Sequence, residues 1–348
     1  MNTQTLLGWC LAALCAVATA PTWAQGDLHF SHTAAVPTQI NPAYAGLLEA
    51  KARVGIDYRG QWNQITNAYR TASLNADGKA WENGNDVAGV GMFFNQDQAG
   101  DLDFTTQQLG ITNSYLKGLD GGKSYLSFGI QNVFHFQRLD ITKARAFDYE
   151  SPAIVESNGR AAYWSIGTGL AFFHRFNRDL SWFAGASTGH LNRPSVGFST
   201  QAGRTEGEFL YTRWTLHAGG EIKFGKWNSI RPSALFMKQG THRQVNVGMY
   251  YRFKKDRGTH TDAPVGVHLG THIRSYPAQD QGGIDAVILS ARFEYLLTVI
   301  TVSFDTNVSN LIEVSNGGGG PELSIVQQFD WAGRGRKRRK VECPTFQY

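Results

Sequence analysis

The sequence predicts an all-β protein: an antiparallel transmembrane β-barrel of about 14 strands with periplasmic N- and C-termini. Three observations lead there. The chain opens on an export signal, its body alternates with a period of two, and its connections alternate between short and long.

Leu6 to Ala20 form an apolar run of signal-peptide length, followed by Pro21-Thr22-Trp23-Ala24, a small-residue cleavage site. Residues 1–24 are therefore read as a signal peptide. Cys10 and Cys15 leave with it, and the mature chain keeps Cys343 alone. One thiol makes neither an internal disulfide nor a cysteine metal site. The 348 residues carry a net charge of +5 and a mean hydropathy of −0.30. These values speak against a helical membrane protein but not against a barrel, whose lumen-facing half is polar. The most apolar later stretch, Val287 to Phe304, is interrupted by Arg292 and Glu294 and reads as two strands joined near Tyr295.

From Lys51 onward, successive side chains alternate in character. Ala52, Val54, Ile56 and Tyr58 share one face of the first strand; Arg53, Asp57, Arg59 and Gln61 share the other. The pattern recurs at Leu126, Phe128 and Ile130, at Val245, Val247 and Met249, and at Leu296, Ile300, Val302 and Phe304. Strands are expected near 51–61, 67–77, 85–95, 103–117, 122–136, 160–176, 180–191, 208–224, 229–239, 242–253, 263–275, 284–294, 296–306 and 320–330. Each reaches the roughly 9–11 residues that a tilted strand needs to cross a bilayer. In a soluble sandwich the apolar face would point inward; in a membrane barrel it points to lipid.

Loop lengths favour the barrel. With a periplasmic N-terminus, the periplasmic turns include Gly118–Gly121 and Asn177–Asp179. The opposite set holds the three longest connections: Arg138–Gly159, Asn192–Gly207 and Asn307–Gly319. Aromatic residues near strand ends, among them Trp62, Tyr115, Phe136, Tyr276, Tyr295 and Trp331, suit the boundary between hydrocarbon and water.

The predicted lumen carries charge: Arg53, Asp57, Arg59, Arg252, Arg274, Arg292, Glu294 and Asp305 fall mostly on the polar face. Ion pairs across a filled lumen and an open water pore both explain this. After the last strand comes a basic tail, residues 332–348, with Arg336, Lys337, Arg338, Arg339 and Lys340. Like charges repel, so it forms no core; a solvated tail, an acidic partner, lipid headgroups and nucleic acid are the physical readings.

Catalytic patterns are weak, and no enzyme activity is expected. Gly185-Ala186-Ser187-Thr188-Gly189 matches a nucleophile pattern, but that pattern needs a strand-to-helix elbow and here lies within an alternating strand. His268 and His272 share a strand face without zincin spacing, so hydrogen bonding in the lumen is the reading rather than a metal site. No cofactor is expected.

Between signal and barrel lies Asn41-Pro42-Ala43-Tyr44-Ala45-Gly46, then Tyr58-Arg59-Gly60-Gln61-Trp62. By local chemistry the first is a bend before a strand. Further on come Gly89-Val90-Gly91 with Asp97-Gln98-Ala99-Gly100, His190-Leu191-Asn192-Arg193-Pro194, Val302-Ser303-Phe304-Asp305 with Ser309-Asn310-Leu311, Gly320-Pro321-Glu322-Leu323-Ser324 and Cys343-Pro344-Thr345-Phe346. Taken in order across most of the mature chain, these resemble the PorP/SprF family of outer-membrane proteins in type IX secretion and gliding. The resemblance implies a scaffold in the outer membrane that binds periplasmic lipoproteins of the secretion or gliding apparatus and an exported cargo or surface adhesin. It places 25–50 as a periplasmic segment ahead of a barrel over 51–331. It makes Asn41, Pro42, Tyr44, Gly46, Arg59, Gln61 and Trp62, with the basic tail, candidates for partner binding. A passive channel is the alternative.

Overall fold

Fourteen antiparallel strands close on themselves: β1 (Ala52–Gln61), β2 (Tyr69–Asn83), β3 (Asp86–Ala99), β4 (Phe104–Leu119), β5 (Ser124–Arg138), β6 (Arg160–Arg175), β7 (Leu180–Gly189), β8 (Arg213–Phe224), β9 (Asn228–Gln239), β10 (His242–Lys255), β11 (Val265–Tyr276), β12 (Gly283–Tyr295), β13 (Thr298–Asn307) and β14 (Gly320–Phe329). Each pairs with its sequence neighbour, and β1 pairs with β14 from Ala52↔Phe329 to Arg59↔Glu322. The computed structural model describes residues 30–31, 33–61, 69–100, 103–140, 142, 159–196, 209–255, 265–276, 283–308 and 319–331. The signal peptide, Trp62 and the basic tail with Arg336–Lys340 lie outside the described residues.

The wall is inverted relative to a soluble protein. In β1, Ile56 is 56% exposed while its neighbour Asp57 is 0% exposed. Outward positions carry Leu74, Met92, Phe128, Leu170, Leu216, Leu269, Leu289 and Val302; inward positions carry Ser, Thr, Asn, Gln, Arg, Asp and Glu. An outward apolar band with a polar interior is the arrangement that a bilayer selects, since closed strand pairing satisfies every ladder hydrogen bond without water. Among the described residues no helix is long and apolar enough to cross a membrane.

The two ends differ. One is built from short connections, 84–85, 120–123, 176–179, 225–227 and 296–297, together with 256–264; the other carries 62–68, 139–159, 190–212 and 308–319 with shorter links between. We call them the short-turn end and the long-loop end. Strands β1 and β14 meet the N- and C-terminal segments at the short-turn end, where the Lys51 amide donates to the Phe329 carbonyl.

The predicted strand boundaries fall close to the observed ones, with two instructive departures. β2 runs on to Asn83, so the β2–β3 hairpin extends past a bulge between Lys79 and Trp81. β8 begins at Arg213 instead of 208, because Leu210 donates to the Pro194 carbonyl and Phe209 bridges Ser195. That stretch bridges within its own long connection, and touches the wall where Gln239 Nε2 of β9 donates to the Tyr211 carbonyl at 3.3 Å.

Candidate functional site

The interior is occupied by the chain's own N-terminal segment. Three short helical turns, Thr33–Ala35, Pro37–Ile40 and Pro42–Tyr44, lead through the lumen to the start of β1. Asn41 and Tyr44 are both 0% exposed. The sequence reading of 25–50 as a periplasmic segment therefore differs from the structure over the described part. Asn41, Pro42, Tyr44 and Gly46 sit inside the barrel, packed on its wall. The bend chemistry was read correctly, but a bend says nothing about what covers it.

The wall is shaped for this segment. Gly89, Ser114, Gly129, Gly169, Ser187 and Thr215 are successive register partners from β3 to β8. They form a trough of small side chains across six strands. Ile40 to Gly46 lies along it. Ser187 Oγ donates to the Ile40 carbonyl at 2.6 Å, Ser127 Oγ to the Ala43 carbonyl at 2.7 Å, and Ser114 Oγ to the Ala45 carbonyl at 2.6 Å. A Cβ on Gly129 would stand 2.3 Å from the Pro42 carbonyl carbon, one on Gly169 2.0 Å from Asn41 Oδ1, and one on Gly89 2.1 Å from the Ala45 oxygen. Only glycine leaves room for the segment at these three places. At Gly46 the constraint is double: φ is +70°, and a Cβ would meet Gly89 Cα at 2.7 Å.

Asn41 and Tyr44 fix the segment sideways. Asn41 Nδ2 donates to the Leu170 carbonyl at 2.9 Å and approaches His217 Nε2 at 3.0 Å, while its Oδ1 accepts from the Ala43 amide at 2.9 Å. The Tyr44 hydroxyl meets His217 Nδ1 at 2.8 Å. Tyr44 also packs with Ala43, Leu47, Val87, Leu116, Tyr125, Phe173 and Phe183. The inward face here is apolar, so the wall exchanges its usual polar lining for a core against the segment. Gln131 Nε2 donates to the Thr38 carbonyl, and Gln39 Nε2 to Ser73 Oγ and Asn95 Oδ1. Between the segment and the wall a cavity of about 50 Å³ remains, bordered by Phe30, Val36, Gln108, His135 and Met237 among others. It has room for a few water molecules.

The opposite wall is charged. Arg53 pairs with Asp77 at 2.8 Å; Asp77 Oδ2 also accepts from the Gly46 amide. Arg59 pairs with Asp305 at 2.9 Å and lies 3.9 Å from Glu322. Arg274 bridges Asp305 at 2.7 Å and Asp285 at 2.8 Å. Ser31 enters this cluster near the long-loop end: its amide donates to Glu322 at 2.9 Å, Arg274 donates to its Oγ at 3.0 Å, and its hydroxyl also meets Asp305. Arg252 contacts Glu221 at 3.1 Å and Glu294 at 3.4 Å, and Arg292 lies 3.6 Å from Glu294. Asp57 accepts from Asn75 at 3.0 Å. All eight charged residues that the sequence analysis places on the polar face point inward. Arg59, which the sequence reading also offered to partners, is held in this interior network. Gln61 ends β1 at the long-loop end.

The two weak chemical patterns also resolve into positions. Ser187 lies within β7 and is spent on the Ile40 carbonyl. His268 Nε2 faces Glu294 at 3.0 Å, and His272 Nε2 meets Ser233 Oγ at 3.2 Å. Among the described residues no three His, Cys, Asp or Glu side chains gather as a metal site.

Residues 22–325 match the model of the type IX secretion system membrane protein PorP/SprF. The chain belongs to the PorP/SprF family. As a member, it is a type IX secretion membrane protein of the outer membrane. No curated protein matches its sequence. Among solved structures, the CymD monoaromatic hydrocarbon channel superposes with a TM-score of 0.50 at 13% identity, over 85% of this chain and 93% of that one. At that identity the likeness shows the barrel fold alone. The P. putida toluene transporter TodX (TM-score 0.45, 8% identity, 84% of this chain and 93% of that one) and CdiB from Acinetobacter baumannii (0.46, 10%, 80% and 60%) are more distant and carry no argument.

Proposed function

We propose that this PorP/SprF barrel works as a closed scaffold of the type IX secretion system, not as a passive channel. The observation that carries the reading is the occupied lumen: the segment from Phe30 to Ala50 packs on the wall with the burial of a protein core. A conduit for solutes would need this space open. A scaffold gains from filling it, because a rigid barrel presents its loops in a fixed arrangement.

By the asymmetry of outer-membrane barrels, the short-turn end faces the periplasm and the long-loop end faces outward. Connections 139–159, 190–212 and 308–319 then hold an exported cargo or adhesin. The C-terminal tail, with Arg336, Lys337, Arg338, Arg339 and Lys340, meets periplasmic lipoproteins or other secretion components. Trp62, in the 62–68 connection at the long-loop end, joins the cargo side. Asn41, Pro42, Tyr44 and Gly46 act from inside, by keeping the barrel closed and stiff. No catalytic residue and no cofactor enter this reading.

The test is isolation of the protein from native outer membrane in mild detergent, full-length and truncated after Trp331. Stoichiometric secretion components or an adhesin on the full-length chain are the expected result, with the periplasmic partners lost on truncation. A barrel that copurifies with nothing would contradict the scaffold.

A further inference from the structure

On its outer side, the wall of β2 to β6 changes character in steps toward the long-loop end. Register partners Leu74, Phe94, Leu109, Phe134 and Trp164 form one exposed apolar row. Two residues further along each strand come Ala72, Gln96, Gln107, Phe136 and Ala162, where Gln107 Nε2 donates to Gln96 Oε1 at 3.1 Å. The next row is Arg70, Gln98, Thr105, Arg138 and Arg160. At about 3.4 Å of rise per residue, it lies roughly 7 Å beyond Phe136 along the strands. Apolar groups thus give way to amides and then to cations, the order in which a bilayer passes from hydrocarbon to headgroup.

Arg138 ends β5, Arg160 begins β6, and the register sets them directly opposite each other. Like charges so placed repel. Both are exposed, and among the described residues neither guanidinium makes an ion pair or a side-chain hydrogen bond. Asp103 and Asp140, the carboxylates just past this row, accept from Gln98 Nε2 at 2.9 Å and from Thr142 Oγ1 at 2.6 Å. Beside the two arginines a groove of about 550 Å³ opens, bordered also by Thr105, Gln107, Phe136 and Ala162. One end of the groove is therefore cationic, and the other borders Phe136, next to the apolar row.

We propose that this groove binds a lipid with a phosphorylated headgroup, drawn from the leaflet around the long-loop end. Its phosphate lies between Arg138 and Arg160, and its acyl chains run along Phe136, Leu109 and Phe134. A phosphate presents several acceptor oxygens to two facing guanidinium forks and removes their repulsion. Thr105 and Gln107 offer further hydrogen bonds to the headgroup. Free phosphate would use the arginines but not the apolar row beneath them, whereas a lipid uses both. The site faces the bilayer and requires neither cargo nor secretion partner, so it stands or falls separately from the scaffold role.

The experiment is native mass spectrometry of the purified full-length barrel in neutral detergent, titrated with phosphatidic acid and, in parallel, with phosphatidylcholine. Inorganic phosphate is added as a competitor. Saturable binding of phosphatidic acid near one per barrel is expected, with phosphatidylcholine weaker and inorganic phosphate a poor competitor. Arg138→Gln and Arg160→Gln should each weaken binding about tenfold, the loss of one charge-assisted contact. Arg138→Lys keeps the charge but loses the fork, and should fall between. Lys238→Gln removes an exposed cation at the same end, on β9, and should bind as the parent does. Each variant is first checked for heat-modifiable migration on gels, the mark of a closed barrel. Equal binding of phosphatidylcholine would reduce the groove to ordinary lipid contact, and displacement by equimolar inorganic phosphate would make it a site for a free anion; either result overturns the proposal. So would the absence of saturable binding, or unchanged binding by folded Arg138→Gln.

Discussion

The two halves of the lumen wall solve the same problem with different chemistry. From β2 to β8 the wall is lined mainly by glycines, small polar side chains and a few aromatics, with Asp77 and Glu221 among its inward charges, and a segment of the same chain lies on it. Ser114, Ser127, Gln131 and Ser187 donate to that segment's carbonyls. From β9 around to β1 the wall carries Arg231, Arg252, Arg274, Arg292, Arg53 and Arg59, which are balanced mainly by carboxylates of the wall itself. Hydroxyls and amides read a backbone, whereas guanidinium groups need opposite charge. The contrast teaches that a barrel interior can be divided into a docking surface and a self-bracing surface, each coded by its inward residues.

The comparison can be broken from either side. The largest effect is expected on the charged half. Asp305→Asn removes the anion held between Arg59 and Arg274 and leaves both guanidinium groups buried with less compensation. Loss of one partner of a buried pair costs about 3–5 kcal/mol. Urea unfolding of the barrel in detergent should shift by that amount. On the docking half, Gly129→Val places side-chain atoms where Pro42 and Ala43 now sit. Overpacking of about 1–3 kcal/mol is expected, relieved by movement of the segment and not of the wall. Limited proteolysis near residues 30–50 should then accelerate while the barrel stays heat-modifiable.

Asn41→Ala sharpens the contrast further. It removes the donors to Leu170 and the acceptor of the Ala43 amide without adding bulk. A docking loss of about 1–3 kcal/mol is expected, since buried groups are left without partners. Hydrogen exchange of residues 38–46 should rise while that of β9–β14 stays unchanged. Ser187→Ala should do least. It deletes one hydrogen bond to the Ile40 carbonyl, worth about 1 kcal/mol. The same exchange measurement should show a small rise confined to the neighbourhood of Ile40.

The barrel was legible in the sequence because its signal is local. A strand that faces lipid on one side and a polar lumen on the other must alternate, and Ala52 to Gln61 does so residue by residue. The position of the N-terminal segment was not legible. Asn41-Pro42 announces a turn, yet its partners Leu170 and His217 are more than a hundred residues away, and no periodicity spans that distance. Two signals were present. Gly89, Gly129 and Gly169 occupy inward positions where alternation calls for polar side chains. Phe173 and Phe183 are inward aromatics where the lumen should be wet. Both mark the footprint of something packed inside, and the strand register turns scattered residues into one trough. The charged half was readable as charge, but its pairings, such as Arg59 with Asp305, required closure of β1 on β14.

The central claim is that the chain closes its own lumen. Single-channel recording in planar bilayers tests it most directly, comparing the full-length protein with a variant lacking residues 30–46, both verified as heat-modifiable barrels. A silent full-length protein is expected, with steady ohmic conductance once the segment is gone. Steady conductance by the intact protein, equal to that of the deletion, would contradict it.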